Sequence, residues 1–182
     1  MLDKAEEIVR YWFSDAVKPL WFNSTVEFDN ELRDRYLDIV NAALNNELTD
    51  WLQSPVGCLA LVIVLDQFPL NIFRGKAESF SGESKSRQVA QHAIAKGFDQ
   101  NLSDEQKAFL YMPFMHSENL EDQDFSVELF KKAGLKENLR FANHHRDIVR
   151  SFGRFPHRNK ILNRESSKAE LAYLASDKAF HG

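Results

Sequence analysis

The chain reads as all-α, a single domain over residues 1–182, and three observations predict this. Helix start and stop signals recur along its whole length, no stretch alternates apolar and polar residues as a half-buried strand does, and 43% apolar with 12% aromatic residues supplies a full core. Fifteen phenylalanines make that core aromatic.

The elements follow in order. Asp3 and Glu6 have capping-box spacing ahead of Ile8, Tyr11 and Trp12, which predicts a first helix to about Phe13. A loop with Pro19, Trp21 and Phe22 follows. Phe28, Leu32, Ile39 and Ala43, with Tyr36 beside them, keep a helical period through a long second helix. Ser54-Pro55 is an N-cap and first-turn pair, and the helix it opens, apolar on nearly every side, reaches about Phe68. Val62, Ile63 and Val64 suit a buried strand as well, but length and the start signal favour the helix. A fourth helix, roughly Glu83 to Lys96, stops at Gly97. A fifth opens at Ser103-x-x-Gln106 and is expected to stop before Pro113. A sixth, about Leu120 to Ala133, ends at Gly134; a seventh, about Lys136 to Phe152, ends at Gly153. The last opens at Ser167-x-x-Glu170. Seven or eight successive helices with short loops give an antiparallel or superhelical array without a fixed-period repeat.

Composition narrows the function classes. The single cysteine, Cys58, lies in an apolar run, reads as a small buried hydrophobe and suits a reducing, cytoplasmic setting. The apolar stretch Cys58 to Leu65 is too short to cross a bilayer, and a charged N-terminus is unlike a secretory signal, so no membrane partner is expected. A net charge of −4 argues against nucleic acid. That charge is uneven: Arg140 to Arg164 carries seven Lys/Arg against Asp147, a local +6 that leaves −10 elsewhere. Such a segment either attracts anions or docks onto the protein's own carboxylates.

The densest chemistry lies in Ser151-Phe152-Gly153-Arg154-Phe155-Pro156-His157-Arg158-Asn159, where Gly153 and Pro156 predict a tight, rigid turn. Arg154 and Arg158 there suit bidentate bonds to a phosphate or carboxylate, or caps on the preceding helix's carbonyls. Asp66, near the C-terminal end of the most apolar helix, opposes the helix dipole and needs a cation. Arg74, or an arginine of the Arg154 to Arg158 turn, is the expected partner, for structure or as part of a site. On the seventh helix Phe141, His145, Ile148 and Phe152 share the apolar stripe, which makes His145 a core-facing histidine. No histidine pair has a recognised metal spacing, so no metal and no cofactor are predicted. Phosphate loops and Gly-x-Ser-x-Gly elbows are absent from the sequence.

Three segments occur in order: Leu65-Asp66-Gln67-Phe68-Pro69-x-Asn71; Pro113-Phe114-Met115-His116-Ser117-Glu118 with Asp122-Gln123; and Phe152 to Asn159. Together they resemble the bacterial family DUF924, from Ile8-x-x-Tyr11-Trp12-Phe13 through Arg164 and the last helix. The resemblance implies a helical fold similar to the tetratricopeptide-like group and brings no activity with it. Two positions depart from the family pattern: Leu70 where arginine is usual, and Asn163 where glycine is usual.

The expected function is a polar pocket for a small anionic molecule, as an enzyme of unknown reaction or a binding protein. His116, His157 and Asp66 are the candidates for proton transfer. Arg154, Arg158, Asn159, Asn71, Arg74, Glu118, Gln123 and His145 are the candidates for ligand binding. The alternatives are a helical module for a protein or peptide partner, and a polar cluster that is purely architectural.

Overall fold

A computed structural model describes residues 2–182, and among them every regular element is helical. The chain divides into two compact units, one running up to Arg74 and including Glu78–Pro113, the other made of Gly75–Ala77 and Phe114–Gly182.

The first unit begins with α1 (Leu2–Trp12), whose Ala5, Ile8, Val9 and Trp12 are buried. Asp3 lies inside its first turn, not at its N-cap as the capping-box spacing predicted. Helix α2 (Val26–Leu44) opens on Thr25, whose hydroxyl accepts the Phe28 N–H at 3.2 Å. Its buried stripe is Phe28, Leu32, Tyr36, Val40 and Ala43. The predicted Ile39 sits half-buried beside it, because steps of four from Phe28 lead through Tyr36 to Val40.

The central helix opens as expected. Ser54 caps α3 (Pro55–Val62) by accepting the Gly57 N–H at 3.0 Å, and a Cβ at Gly57 would lie 2.1 Å from the Trp51 carbonyl oxygen. It then continues past the predicted stop. Residues Ile63–Gln67 widen into a π turn and α4 (Phe68–Ile72) carries the chain over Pro69. Pro69 has no N–H to return to the Leu65 carbonyl, and a wider turn removes the clash that its ring would make in a regular helix. The backbone of Gly82 approaches the same carbonyl closely: a Cβ there would lie 2.0 Å from the Leu65 oxygen. The run Pro55–Ile72 has a mean hydropathy of 1.7 over 18 residues, long enough to span a bilayer, contrary to the shorter count from Cys58 to Leu65. Of this run 83% is buried, as in the core helix of a folded domain. Cys58 is fully buried in it, and burial pushes its thiol up to about 11.

Helix α5 (Glu83–Ala95) ends before Gly97, which adopts φ +70°. Helix α6 (Asp104–Met115) starts at the predicted Ser103/Gln106 reciprocal cap, with bonds of 3.0 and 3.3 Å. It does not stop before Pro113. The hydrogen bond that Pro113 forgoes belongs to the last turn, while Tyr111, Met112, Phe114 and Met115 are all buried around it. Around Trp12 the rings of Phe28, Phe68 and Phe109 lie 5.6 to 6.4 Å away, and Tyr36 stacks on Phe68 at 4.9 Å.

The second unit holds α7 (Leu120–Lys132), α8 (Lys136–Phe152) and α9 (Lys168–Leu174). Asn119 caps α7 through the N–H groups of Glu121 and Asp122. Gly134 and Gly153 end α7 and α8 at φ +72° and +70°, as their positions predicted. The buried stripe of α8 is Ala142, His145, Ile148 and Val149. Phe141, predicted on that stripe, is 46% exposed, and Phe152 is half-buried. Ile148, Val149 and Phe155 form a small core, flanked by Phe152, Tyr173 and Phe180.

Candidate functional site

The basic segment is a tight turn, as the glycine and proline predicted. After Gly153 the chain places Phe155 in the core and closes a short 3₁₀ turn over Pro156–Arg158, with Arg158 and Asn159 donating back to Phe155 and Pro156 at 3.1 and 3.0 Å. Pro156 suits the first position because that N–H has no helical partner.

The arginines around this turn meet the protein's own acids. Arg154 donates to both oxygens of Glu170, at 2.6 and 2.9 Å, and to the Glu165 carbonyl at 2.7 Å. Glu170 also accepts the Ser167 N–H as the capping box requires, at 2.7 Å, and these donors hold its carboxyl down at about 2. Arg164 forks onto Glu118 at 2.7 and 2.8 Å and donates to Asn159 Oδ1 at 2.9 Å and the Phe155 carbonyl at 3.2 Å. Glu118 also accepts the Phe155 N–H at 2.8 Å. Burial raises its carboxyl, but Arg164 and this N–H outweigh it, and the net shift is downward. Arg158 is 6% exposed, donates to the His116 carbonyl at 2.9 Å and lies 4.8 Å from the Phe155 ring centre. Asn159, 1% exposed, bridges Arg164 to the Ser166 hydroxyl.

Gln123, fully buried, donates to the carbonyls of Met115 and Ser117 at 2.7 and 2.6 Å, which closes the turn between α6 and α7. Its role is to hold that turn. Ser117 donates to Asp122 at 2.6 Å, and its partner is a carboxylate, not the neighbouring His116.

Beside this frame lies a face of imidazoles. His145 is 5% exposed and its Nδ1 meets the Phe141 carbonyl at 2.8 Å, so that nitrogen carries the proton and Nε2 is the acceptor. Burial, joined by the nearby His116, His144 and His157, drives its pKa down to about 3. Burial and the Arg158 charge drive His157 down to about 4. The ring of Phe180 covers them edge-on, with centroids 4.6 Å from His145, 5.0 Å from His157 and 6.4 Å from His144. Phe180 is held by its own N–H, which donates to the Tyr173 hydroxyl at 2.9 Å. Among the described residues no group of three or more His, Cys, Asp or Glu is placed to hold a metal ion.

The remaining candidates belong to the first unit. Arg74 binds Asp29, at 2.6 and 3.0 Å, and Asn71 at 3.0 Å; it does not bind Asp66 as expected. Arg74 lies beyond the C-terminal end of α4, where it faces the start of α2 and not the π turn that carries Asp66. Asp66 is 3% exposed and accepts from the Gln67 side chain at 2.6 Å. Asn71 donates to the Gln67 carbonyl at 3.1 Å. Leu70 sits half-buried on α4.

Sequence reasoning missed four participants. Glu170 showed itself only as a cap, Arg164 and His144 only as members of a basic segment, and Phe180 not at all. The capping box did place Glu170, but its pairing across 16 residues with Arg154 leaves no spacing signal.

No curated protein matches the chain. A solved protein of unknown function from Agrobacterium tumefaciens, ATU0120, is 41% identical, over 96% of this chain and 98% of its own, with a TM-score of 0.91. The family model described as a bacterial protein of unknown function, DUF924, matches residues 8–178, which include the central helix, the turn after α6 and the basic segment. The chain therefore belongs to the DUF924 family.

Proposed function

We propose that the imidazole face of the second unit binds a small aromatic or heteroaromatic molecule, whose ring takes the place now held by Phe180. The observation that carries this reading is the edge-on contact of one phenyl ring with His145, His157 and His144. Arg154 is engaged by Glu170, and Arg158 is buried and donates to the His116 carbonyl, so the reading moves from these two arginines, where an anion was expected, to the histidines beside them. Buried His145 and half-buried His157 are neutral at physiological pH, and a neutral imidazole has one acceptor nitrogen for a ligand N–H or O–H.

The own-chain ring competes with any ligand. Removing it with Phe180→Ala should tighten binding of an indole or nicotinamide probe by the reciprocal of the fraction of time the native ring leaves the face open, and His157→Ala should weaken it. The measurement is NMR titration of both variants and the wild type. No perturbation of His145 or His157 in Phe180→Ala by either probe would sink this reading.

A second reading, binding of a protein partner, rests on a different observation in the first unit. Phe22 is 77% exposed and lies parallel to Phe109 at 6.3 Å, with Trp21 against the same ring at 4.6 Å, and Val26 nearby in sequence is 70% exposed. Exposed aromatic clusters of this kind are frequent at protein contacts.

A further inference from the structure

The first unit contains a pocket of ≈ 160 Å³ that belongs to neither the basic turn nor the imidazole face. Its walls are mostly apolar, with Ala43 from the end of α2, Leu48 from the turn that follows, Leu61 and Leu65 from the central helix and Val89 from α5, and Thr49 and Gln88 also line it. The pocket is partly open to solvent, and its volume is about that of a cavity that holds a benzene ring.

Its two ends are polar, and both are set by α5. Lys85, Val89 and His92 stand at i, i+4 and i+7, so they line one face of that helix, with the outer two about 10 Å apart along its axis. At the first end the Lys85 ammonium donates to the Leu44 carbonyl and, at 2.9 Å, to Asn46 Oδ1. An ammonium has three N–H donors, which leaves one for a further acceptor. Asn46 is fixed for this task by its backbone. It sits at φ +60° just past α2, where its N–H returns to the Ala43 carbonyl and that of Glu47 to Ala42, the closing pattern of a helix that ends on a left-handed residue. At the other end His92 Nε2 lies 3.0 Å from the Leu52 carbonyl, so it carries the ring proton and anchors the imidazole to the turn before α3.

The pocket thus presents an apolar body of ring size with a cation at one end, held in place by two acceptors. We propose that it is a binding site for a small carboxylate with an aromatic or branched aliphatic body, the body between Leu61, Leu65 and Val89 and the carboxylate on Lys85. A cationic ligand is disfavoured by Lys85. A neutral one of the same shape loses the charge-assisted bond.

The test is titration of the ¹⁵N-labelled protein with benzoate, isovalerate and benzamide, followed through the backbone amides so that this pocket is distinguished from the imidazole face. Benzoate or isovalerate should shift the amides of Leu61, Lys85 and Val89, and benzamide should bind more weakly than benzoate. Lys85→Met keeps the aliphatic stem and removes the charge, and should weaken carboxylate binding by about tenfold to a hundredfold. Val89→Phe fills the body of the pocket and should abolish binding while leaving the amide spectrum that of a folded protein. The proposal is overturned if neither carboxylate moves these amides, if both variants bind as the wild type does, or if the shifts fall only around His145 and His157. The last outcome leaves the imidazole-face reading standing without this one.

Discussion

The two units hold themselves together by different means. The first surrounds Trp12 with the rings of Phe28, Phe68 and Phe109 and threads a helix through its centre that is 83% buried. The second buries Ile148, Val149 and Phe155 as well as Leu129 and Phe130, and besides two forks of the kind that Arg74 makes with Asp29 in the first it carries the neutral histidines His145 and His157. Burial of apolar area depends little on pH, whereas ion pairs and buried imidazoles titrate. The contrast teaches that size of core and sensitivity to protons are separable properties of one chain.

The largest expected effect tests the aromatic side of that contrast. Phe68→Ala removes a fully buried ring that stacks on Tyr36 and meets Trp12 edge-on, and should cost about 3 to 5 kcal/mol. All three tryptophans, Trp12, Trp21 and Trp51, lie in the first unit, so denaturation followed by tryptophan fluorescence reads that unit directly. A loss below about 1 kcal/mol would mean that this core is loose enough to collapse around the gap.

Acid should act first on the second unit. The folded pKa of His145 is depressed from 6.5 to about 3, so the unfolded chain binds the extra proton and stability falls as pH drops through 6.5 toward 3. Near pH 5 this histidine alone should cost about 2 kcal/mol, and His157, shifted to about 4, acts in the same direction. Glu170 adds a steeper loss below 4.5, since its carboxyl is held at about 2 by Arg154 and its stabilisation is present only above its unfolded value. His145→Phe should flatten the limb between pH 6.5 and 4, as seen by NMR of the second unit, while leaving the tryptophan signal of the first unit unchanged. An unaltered limb in that variant would remove His145 from the account.

The smallest effect sharpens a local point. Asn163 adopts φ +51°, a left-handed conformation that favours glycine, which is the residue usual in the family at this place. Asparagine tolerates the conformation at a small cost, and Asn163→Gly should change stability by less than about 1 kcal/mol, in the stabilising direction, in chemical denaturation.

Much of the fold was readable in local chemistry. Ser54-Pro55, Ser103/Gln106, Ser167/Glu170 and the glycines at 97, 134 and 153 begin or end helices where their types predict, because caps and left-handed termini involve only residues a few places apart. Prolines misled. Pro69 and Pro113 both lie within helical runs, the first made tolerable by a π turn and the second by its place in a final turn surrounded by buried side chains. The basic turn was legible as rigid, and the alternative that its charges dock on the protein's own carboxylates describes Arg154 and Arg164. Which acids they meet was not legible, since Glu118 and Glu170 lie 46 and 16 residues from their arginines.

What the residue order determined by itself is therefore the helical class, most helix limits and the place of the one tight polar turn, all consequences of backbone preferences and of periodicity within a few residues. What only the tertiary structure decided is partnership: Arg74 with Asp29 and not Asp66, Arg154 with Glu170, and Phe180 against three imidazoles. The physical reason is range. Capping and helical period act between near neighbours and leave a pattern in the sequence, whereas a charge or a ring chooses its partner by distance in space, which many sequences with the same local pattern would set differently.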